Sequence, residues 1–467
     1  MRSAWLVLTI VAIYIAVLAA ISFFAGRSSR TAGSFASGGK VFPAVLIGFL
    51  LASEFIGTTA SIGTAQAAYE SGISAAWNVV SLGVGFVLFS LLLARRYRAL
   101  GENTISGALA RNYGPRVRIA TSIVMVCALL IVAVSVYASG GAILSSLLGI
   151  DKSLAIVLVG ALATAYVGVG GMRSVVYTNF LHAVIKLVGI IVLAIVAVHR
   201  VGGFGELRAK LPPEMFSPHG VGLSQIFAWM IAGIGATFAT QYVVQAITTV
   251  GDSGKAQRAG FYSALVLVPY GVLAALIGVC SAVLFPHIKS IQAMPVLVTQ
   301  LDPLLAGLVV AGLAGAMFGT IAALTIGAST LLFKDFYQPY FNPGADERRN
   351  MVFIRVAAGV AGLLPIVLAL YASDVLAVTF LAKALRAALA VLVLMMFYAP
   401  RYGTKAGAFW TIVVSLVATI GWFLAGSPWG VDEAYIAVAV PLVVMTISHV
   451  FRRRGAETTV APVAVTR

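Results

Sequence analysis

The stretch AVLIGFLLASEFIGTTASIGTAQAAYESG, residues 44–72, is apolar enough to enter a bilayer. Its middle nevertheless holds Ser53, Glu54, Gly57, Thr58, Thr59, Ser61 and Gly63. A carboxylate at the centre of a membrane helix costs about 2.5–3.5 kcal/mol on insertion scales. Glycine and hydroxyl residues clustered beside it predict a helix that breaks there. A break frees carbonyls and amides, which is tolerable at that depth only around a cavity or inside protein. Interrupted helices of this kind are how transporters build a midplane site for an ion or small solute.

The rest of the chain agrees with a bilayer as solvent. It has 467 residues, 61% of them hydrophobic and 10% charged, with a mean hydropathy of +1.02. That composition predicts an all-α polytopic membrane protein. A β-barrel is excluded, because barrel strands read as short alternating segments and these runs are long and uniformly apolar. Cys127 and Cys280 sit inside apolar runs and read as small buried hydrophobes. Neither HxxH nor HExxH occurs among the five histidines. No Walker-type GxxxxGK[ST] and no appended soluble domain is visible, so a nucleotide-driven pump is excluded. An integral-membrane enzyme is disfavoured too, since no nucleophile–base pair appears. The whole of 1–467 reads as one transmembrane domain, with no cofactor beyond a coupling Na+ or H+ and no nucleic-acid partner.

Thirteen spans are expected, at about 3–25, 43–69, 73–94, 117–148, 153–169, 174–199, 223–247, 259–285, 302–333, 352–371, 374–398, 406–425 and 434–451. The first is read as an uncleaved helix, because its apolar run is long and Arg27 and Arg30 follow it. With the N-terminus outside, 21 Lys and Arg fall in cytoplasmic segments and 6 in external ones. The positive-inside rule selects that orientation, with a cytoplasmic C-terminus in the cell (plasma or inner) membrane. The net charge of +16 is therefore a topology signal. The tail 455–467 reads as disordered, and the chain as a monomer.

A second span, 223–247, carries AGIGATFATQYVVQA, with Gly233, Gly235 and Thr237 as its expected interruption. Paired interrupted helices in two halves point to a transporter site. Glycines at this spacing serve ordinary helix packing equally well.

Four segments resemble one family. They are ASEFIG at 52–57 with YESG at 69–72, GGMRSVVYTNFLH at 170–182, QYVVQA at 241–246 and ASTLLFKDFYQPY at 328–340. The second is similar to that family's GG–x–x–x–V–x–x–TD–x–x–Q segment, the third to its NQ–x–x–x–Q and the fourth to its S–x–x–D–x–Y. The family is the sodium/solute symporters, which include proline, pantothenate, acetate and sodium-sugar symporters. The resemblance covers about residues 40–410. It implies a leucine-transporter (LeuT) fold with inverted repeats of five helices each, about 43–199 and 223–398, followed by extra helices over 406–451. It also implies cation-coupled symport of a small organic solute by alternating access.

The same resemblance implies an ion site from the carbonyls of Ile47, Leu50 and Ala316, with Gly319 and the hydroxyl of Thr320. The metal-ligating oxygens would then come from Ile47, Leu50, Ala316 and Thr320. Gly319 departs from the family's usual serine, and a hard cation wants oxygen ligands, so the sodium site is weakened. Asn179, His182 and Lys186 share one helix face by their spacing of three and four. The family has aspartate at 179 and glutamine at 182. Lys186 lies about 18 Å into the membrane at 1.5 Å per residue. Its ammonium is expected where sodium would sit, bonded to Thr320 and carbonyls near Ile47 and Leu50, in room left by the missing hydroxyl at 319. The alternative, equally open at this point, is a lysine reaching a vestibule or an interhelical carbonyl, with water completing a sodium site.

The candidate substrate set is Ser53, Glu54, Gly57, Gly233, Ala236, Gln241, Lys383 and Arg386. Glu54 is the candidate proton or cation carboxylate. Lys383 and Arg386, three apart in the eleventh span, suit an anion, since arginine grips a carboxylate with two parallel bonds. Structural pairing of these cations is the competing reading. Gln241 and Gln245 line a site or bridge helices. Tyr69, Trp77 and Phe238 are candidate gates or interfacial anchors. Three readings of function follow: a secondary active symporter carrying a carboxylate or similar metabolite, an uncoupled facilitator or channel, and a sensor that kept the fold.

Overall fold

The computed structural model describes residues 2–27, 31–39, 41–344, 346–371 and 375–452. The segment 455–467, expected to be disordered, lies outside them. Among the described residues the only strand-like pairing is an isolated bridge between Phe42 and Val250; the rest of the regular structure is helical. The principal helices are α1 (Arg2–Gly26), α2 (Ala44–Phe55), α3 (Thr64–Ser71), α4 (Trp77–Leu92), α5 (Pro115–Leu148), α6 (Lys152–Val201) and α7 (Leu223–Ala239). They continue with α8 (Gln241–Ile247), α9 (Ser253–Leu284), α10 (Pro303–Leu331), α11 (Glu347–Ala369), α12 (Val375–Tyr398), α13 (Lys405–Leu424) and α14 (Glu433–Val450).

The scarce acids mark helix starts. Asp151, Asp252, Asp302, Asp346 and Asp432 cap α6, α9, α10, α11 and α14, each side chain accepting backbone amides of the first turn. Helix α6 is 50 residues long, but Gly171 inside it has φ 62° and ψ −174°, so it bends into two spans. A Cβ at Gly171 would lie 2.9 Å from the Phe35 ring, and only glycine accepts this backbone without strain.

Nine described helices are long and apolar enough to cross a membrane, or ten if the bent pair α7–α8 is one span. The expected count of thirteen is not reached by that measure. Of the three expected spans outside that count, α2 is a 12-residue piece cut off by its break, whereas α1 is an apolar helix of 25 residues and the first arm of α6 runs from Lys152 to the bend at Gly171. The centre of the bundle is α10 and α12, whose apolar windows are 78% and 83% buried. The corresponding windows of α11, α13 and α14 are 33%, 33% and 28% buried, which leaves those helices for lipid. Helix α10 packs along α6, α9 along α4 and α2, and α7 between α12 and α4.

Both interruptions exist, but the second is displaced from its expected place. Helix α7 runs unbroken through Gly233, Gly235 and Thr237 and ends at Ala239. Thr240, at φ −78° and ψ 135°, then separates it from α8 by a bend of 47°. A Cβ at Gly233 would strike Ser81, and one at Gly235 would strike Ala387. These glycines let α7 approach α4 and α12 closely, which is the small-residue packing of membrane helices.

Candidate functional site

Helix α2 stops at Phe55 because Ile56 leaves helical space, with φ −88° and ψ 64°. The chain resumes as a wide π-helical turn at Thr59–Gly63. The carbonyls released by this stop find side chains instead. Ala52 O still accepts the Ile56 amide, at 3.0 Å. Ser53 O accepts from Lys186 Nζ at 2.8 Å, and Glu54 O accepts from Thr320 Oγ1 at 3.1 Å. Lys186 Nζ also donates to Ser53 Oγ at 2.9 Å, and that hydroxyl donates to Asn179 Oδ1 at 2.8 Å. Helices α6 and α10 therefore hold the broken end of α2 through three side chains. A Cβ at Gly57 would lie 3.2 Å from Thr320 Oγ1, so glycine permits this approach.

The ammonium of Lys186 sits on the break, on Ser53, while Thr320 takes the neighbouring carbonyl. Ile47 and Leu50 are buried inside the regular part of α2, N-terminal to the freed carbonyls. Ala316, Gly319 and Thr320 lie on α10, and of these Thr320 touches the break. The space at Gly319 is not taken by Lys186. A Cβ there would strike Asn179 Oδ1 and come within 3.0 Å of His182 Cδ2, so those two side chains fill the room left by the missing hydroxyl. His182 Nδ1 is hydrogen-bonded to the Tyr14 hydroxyl, which ties α1 to the same face of α6.

On the other side of the break lies a small cavity of about 50 Å³. Its lining includes Glu54, Phe55, Gly57, Thr59, Asn78, Tyr242, Thr320, Lys383 and Arg386. Lys383 Nζ donates to Asn78 Oδ1 at 3.1 Å and lies 4.3 Å from the centroid of the Phe380 ring. Asn78 in turn donates to Thr64 Oγ1 at 2.9 Å. Arg386 Nη2 reaches Ala128 O at 3.4 Å, while its Nε has no partner. Glu54 Oε2 and Thr59 Oγ1 are buried without partners as well. No ion pair joins Glu54 to Lys186, Lys383 or Arg386 among the described residues. A larger cavity of about 320 Å³ between α1, α5, α6 and α10 is walled almost wholly by hydrocarbon, with Thr58 on its lining, so the chemistry belongs to the smaller one.

Glu54, Gly57, Lys383 and Arg386 thus meet at one cavity, with Ser53 behind it. Gly233, Ala236 and Gln241 do not line it. Ala236 O accepts the Thr240 hydroxyl, and Gln241 is used by the Ile105 amide, Asn103 O and Gln245. Tyr69 bonds Phe285 O and Trp77 bonds Pro218 O, both away from the cavity, and Phe238 O accepts from Tyr97. Sequence reasoning missed Asn78 and Tyr242, and named Thr59 as part of the break without placing it among the substrate residues. Asn78 had a signal, a lone amide in the apolar run WNVVSLGVG. At the end of the molecule where α5 begins and α10 finishes, Asp335 is buried under Ser106, Ser122 and Arg118. Arg118 Nε is 2.6 Å from Asp335 Oδ1.

A family match decides what this arrangement belongs to. The sodium:solute symporter family matches residues 35–415. The chain belongs to that family. The high-affinity proline transporter PutP of Bacillus subtilis (strain 168) is similar to this symporter, 26% identical over 432 residues that make up 87% of this chain and 90% of that one. Among solved structures, a Na+-coupled sialic acid symporter in its substrate-bound outward-open state superposes with a TM-score of 0.83 at 17% identity, over 96% of this chain and 98% of that one. Mhp1, a nucleobase-cation-symport-1 family transporter in a closed conformation, gives 0.60 at 15% identity, over 90% of this chain and 94% of that one. MhsT in complex with L-phenylalanine gives 0.56 at 13% identity, over 86% and 98%. These likenesses establish the LeuT-type fold of the symporter, an integral membrane protein of a cation-coupled transport family.

Proposed function

We propose that this symporter carries a small organic anion by alternating access and that protons, passing through Lys186, drive it. The observation that carries the anion is the buried charge. Lys186, Lys383 and Arg386 are 2–6% exposed and face one carboxylate, Glu54, at 3%. Burying unpaired charge is costly, and an anionic solute offsets the excess. Arg386 and Lys383 are the anion-binding pair, with Ser53, Glu54 and Gly57 forming the floor of the site.

The contact between Lys186 and Ser53 supports the proton. An ammonium carries the same charge as Na+ and offers three donors to oxygen. When Lys186 gives its proton to water on the inner side, the broken end of α2 loses a charged tie to α6. That makes the contact a natural place to couple charge to helix movement. Sodium, the family's ion, is the second reading. Thr320 Oγ1 and the carbonyls of Ser53 and Glu54 favour it, since all three are oxygens at the break. The reading also takes the N-terminus as external, the C-terminus as cytoplasmic, a monomer, and repeats over 43–199 and 223–398.

Proteoliposome counterflow with a panel of radiolabelled small carboxylates, amines and sugars tests the anion. A carboxylate as the best substrate supports the reading. A cationic best substrate overturns it.

A further inference from the structure

Three buried polar atoms without partners belong to residues lining the same cavity: Glu54 Oε2, Thr59 Oγ1 and Arg386 Nε. Their residues are 3%, 5% and 2% exposed. Buried polar groups in folded proteins are almost always paired, and an orphan asks for a ligand or water. Here three orphans at one cavity define what the ligand must offer. Arg386 Nε–H only donates, so it needs an acceptor. Glu54 Oε2 needs a donor when the carboxyl is ionised and an acceptor when it holds a proton. The Thr59 hydroxyl takes either. A molecule that satisfies the set must carry an acceptor and a donor together.

Charge narrows the choice. A plain carboxylate satisfies Arg386 and Thr59, yet brings no donor for an ionised Glu54, whereas a hydroxyl pairs with that carboxyl in either protonation state. A zwitterionic amino acid offers both groups, but adds no net negative charge to a region holding three cations and one carboxylate. A hydroxycarboxylate does both. Size narrows it further. The cavity of about 50 Å³ has space for a small molecule only, which favours a short chain.

We infer that the transported anion is a short-chain hydroxycarboxylate. Its carboxylate lies on Arg386 and Lys383, and its hydroxyl donates to Glu54 Oε2. Glu54 is on this account the specificity-determining residue. The inference rests on the anion reading above and names its chemical class.

Titration calorimetry on the purified full chain in detergent, without any ion gradient, tests it. The probes are 2-hydroxypropanoate, propanoate and alanine, with the four-carbon homologues beside them. The hydroxy acid is expected to bind about tenfold or more tighter than the acid lacking the hydroxyl, because the latter leaves a buried acceptor unpaired. In Glu54→Ala that ratio should fall to near one while the preference for carboxylates persists. Should that variant fail to fold, the comparison on the unaltered protein still decides. Equal binding of propanoate and 2-hydroxypropanoate overturns the inference and leaves the anion reading standing. Tighter binding of alanine overturns it in favour of an ammonium on Glu54. Binding of none of the acids overturns the anion reading itself.

Discussion

Lys186 joins its charge to the one place where α2 has surrendered its own hydrogen bonds, through Ser53 O and Oγ at 2.8 and 2.9 Å. Replacing it with methionine keeps the length and removes the charge and the donors. Lys186→Met should retain solute exchange in counterflow but lose gradient-driven accumulation; full accumulation by that variant at normal expression would remove Lys186 from the coupling path. Arg386 and Lys383 are the proposed anion-binding pair. Arg386→Lys loses the planar fork and its Nε donor, and we expect the apparent KM for a carboxylate to rise about tenfold, equivalent to about 1.4 kcal/mol. An unchanged KM would make Arg386 structural. Gly319→Ser restores the family's hydroxyl, but its Cβ would strike Asn179 Oδ1. Overpacking of this kind costs about 1–3 kcal/mol, so the thermal midpoint in detergent should fall rather than rise. Glu54, Lys186, Lys383 and Arg386 were legible in the sequence because a charge in an apolar run is expensive and therefore conspicuous. The implied ligands Ile47 and Leu50 show the opposite limit. Carbonyl ligands have no side-chain signature, so nothing in the sequence marked Ser53 and Glu54 as the residues whose carbonyls are freed.

The two interrupted helices differ in how far sequence exposes them. In the first span the glycines, hydroxyls and Glu54 coincide with the break at Ile56, and the reading of 44–72 located it to within a turn. In the second, glycine was ambiguous between breaking and packing. Gly233 and Gly235 pack against Ser81 and Ala387, while the bend falls at Thr240, whose hydroxyl turns back to Ala236 O. Gln241, one residue beyond, consequently faces the 103–105 segment, and Tyr242 takes its place at the cavity. A one-residue change of register on a helix is about 100°, enough to exchange the two. The ends of α5 and α10 are latched by Arg118 on Asp335, whose side chain is fully buried. Removing one partner of a fully buried pair costs about 3–5 kcal/mol. Arg118 is 36% exposed, so solvent screening discounts the loss to about 2 kcal/mol in Arg118→Ala. Thermal unfolding in detergent checks that figure. Thiol labelling of cysteines introduced along α5 should also become faster in the variant, since this end would open more readily; unchanged labelling would mean the latch is not a gate.

Across the bundle, the composition fixed a membrane-embedded helical class and the motif order pointed to the family that the match over 35–415 establishes. The count of spans was less legible. Hydropathy sees runs of apolar residues: it puts a boundary between 169 and 174, where Gly171 bends α6, but it does not show that Ile56 cuts the second span into short pieces. What the molecule has assembled is a bundle with α10 and α12 at its centre, a broken α2 held by Lys186 and Thr320, and a small cavity carrying excess positive charge. In the proposed mechanism the built-in ammonium of Lys186 stands in for the coupling cation. The most direct measurement is uptake of the preferred radiolabelled carboxylate into proteoliposomes in sodium-free medium under an imposed inward proton gradient. From this mechanism accumulation above the external concentration is expected, collapsing with a protonophore and absent in Lys186→Met. Accumulation that strictly requires a sodium gradient, with none under the proton gradient alone, would contradict it.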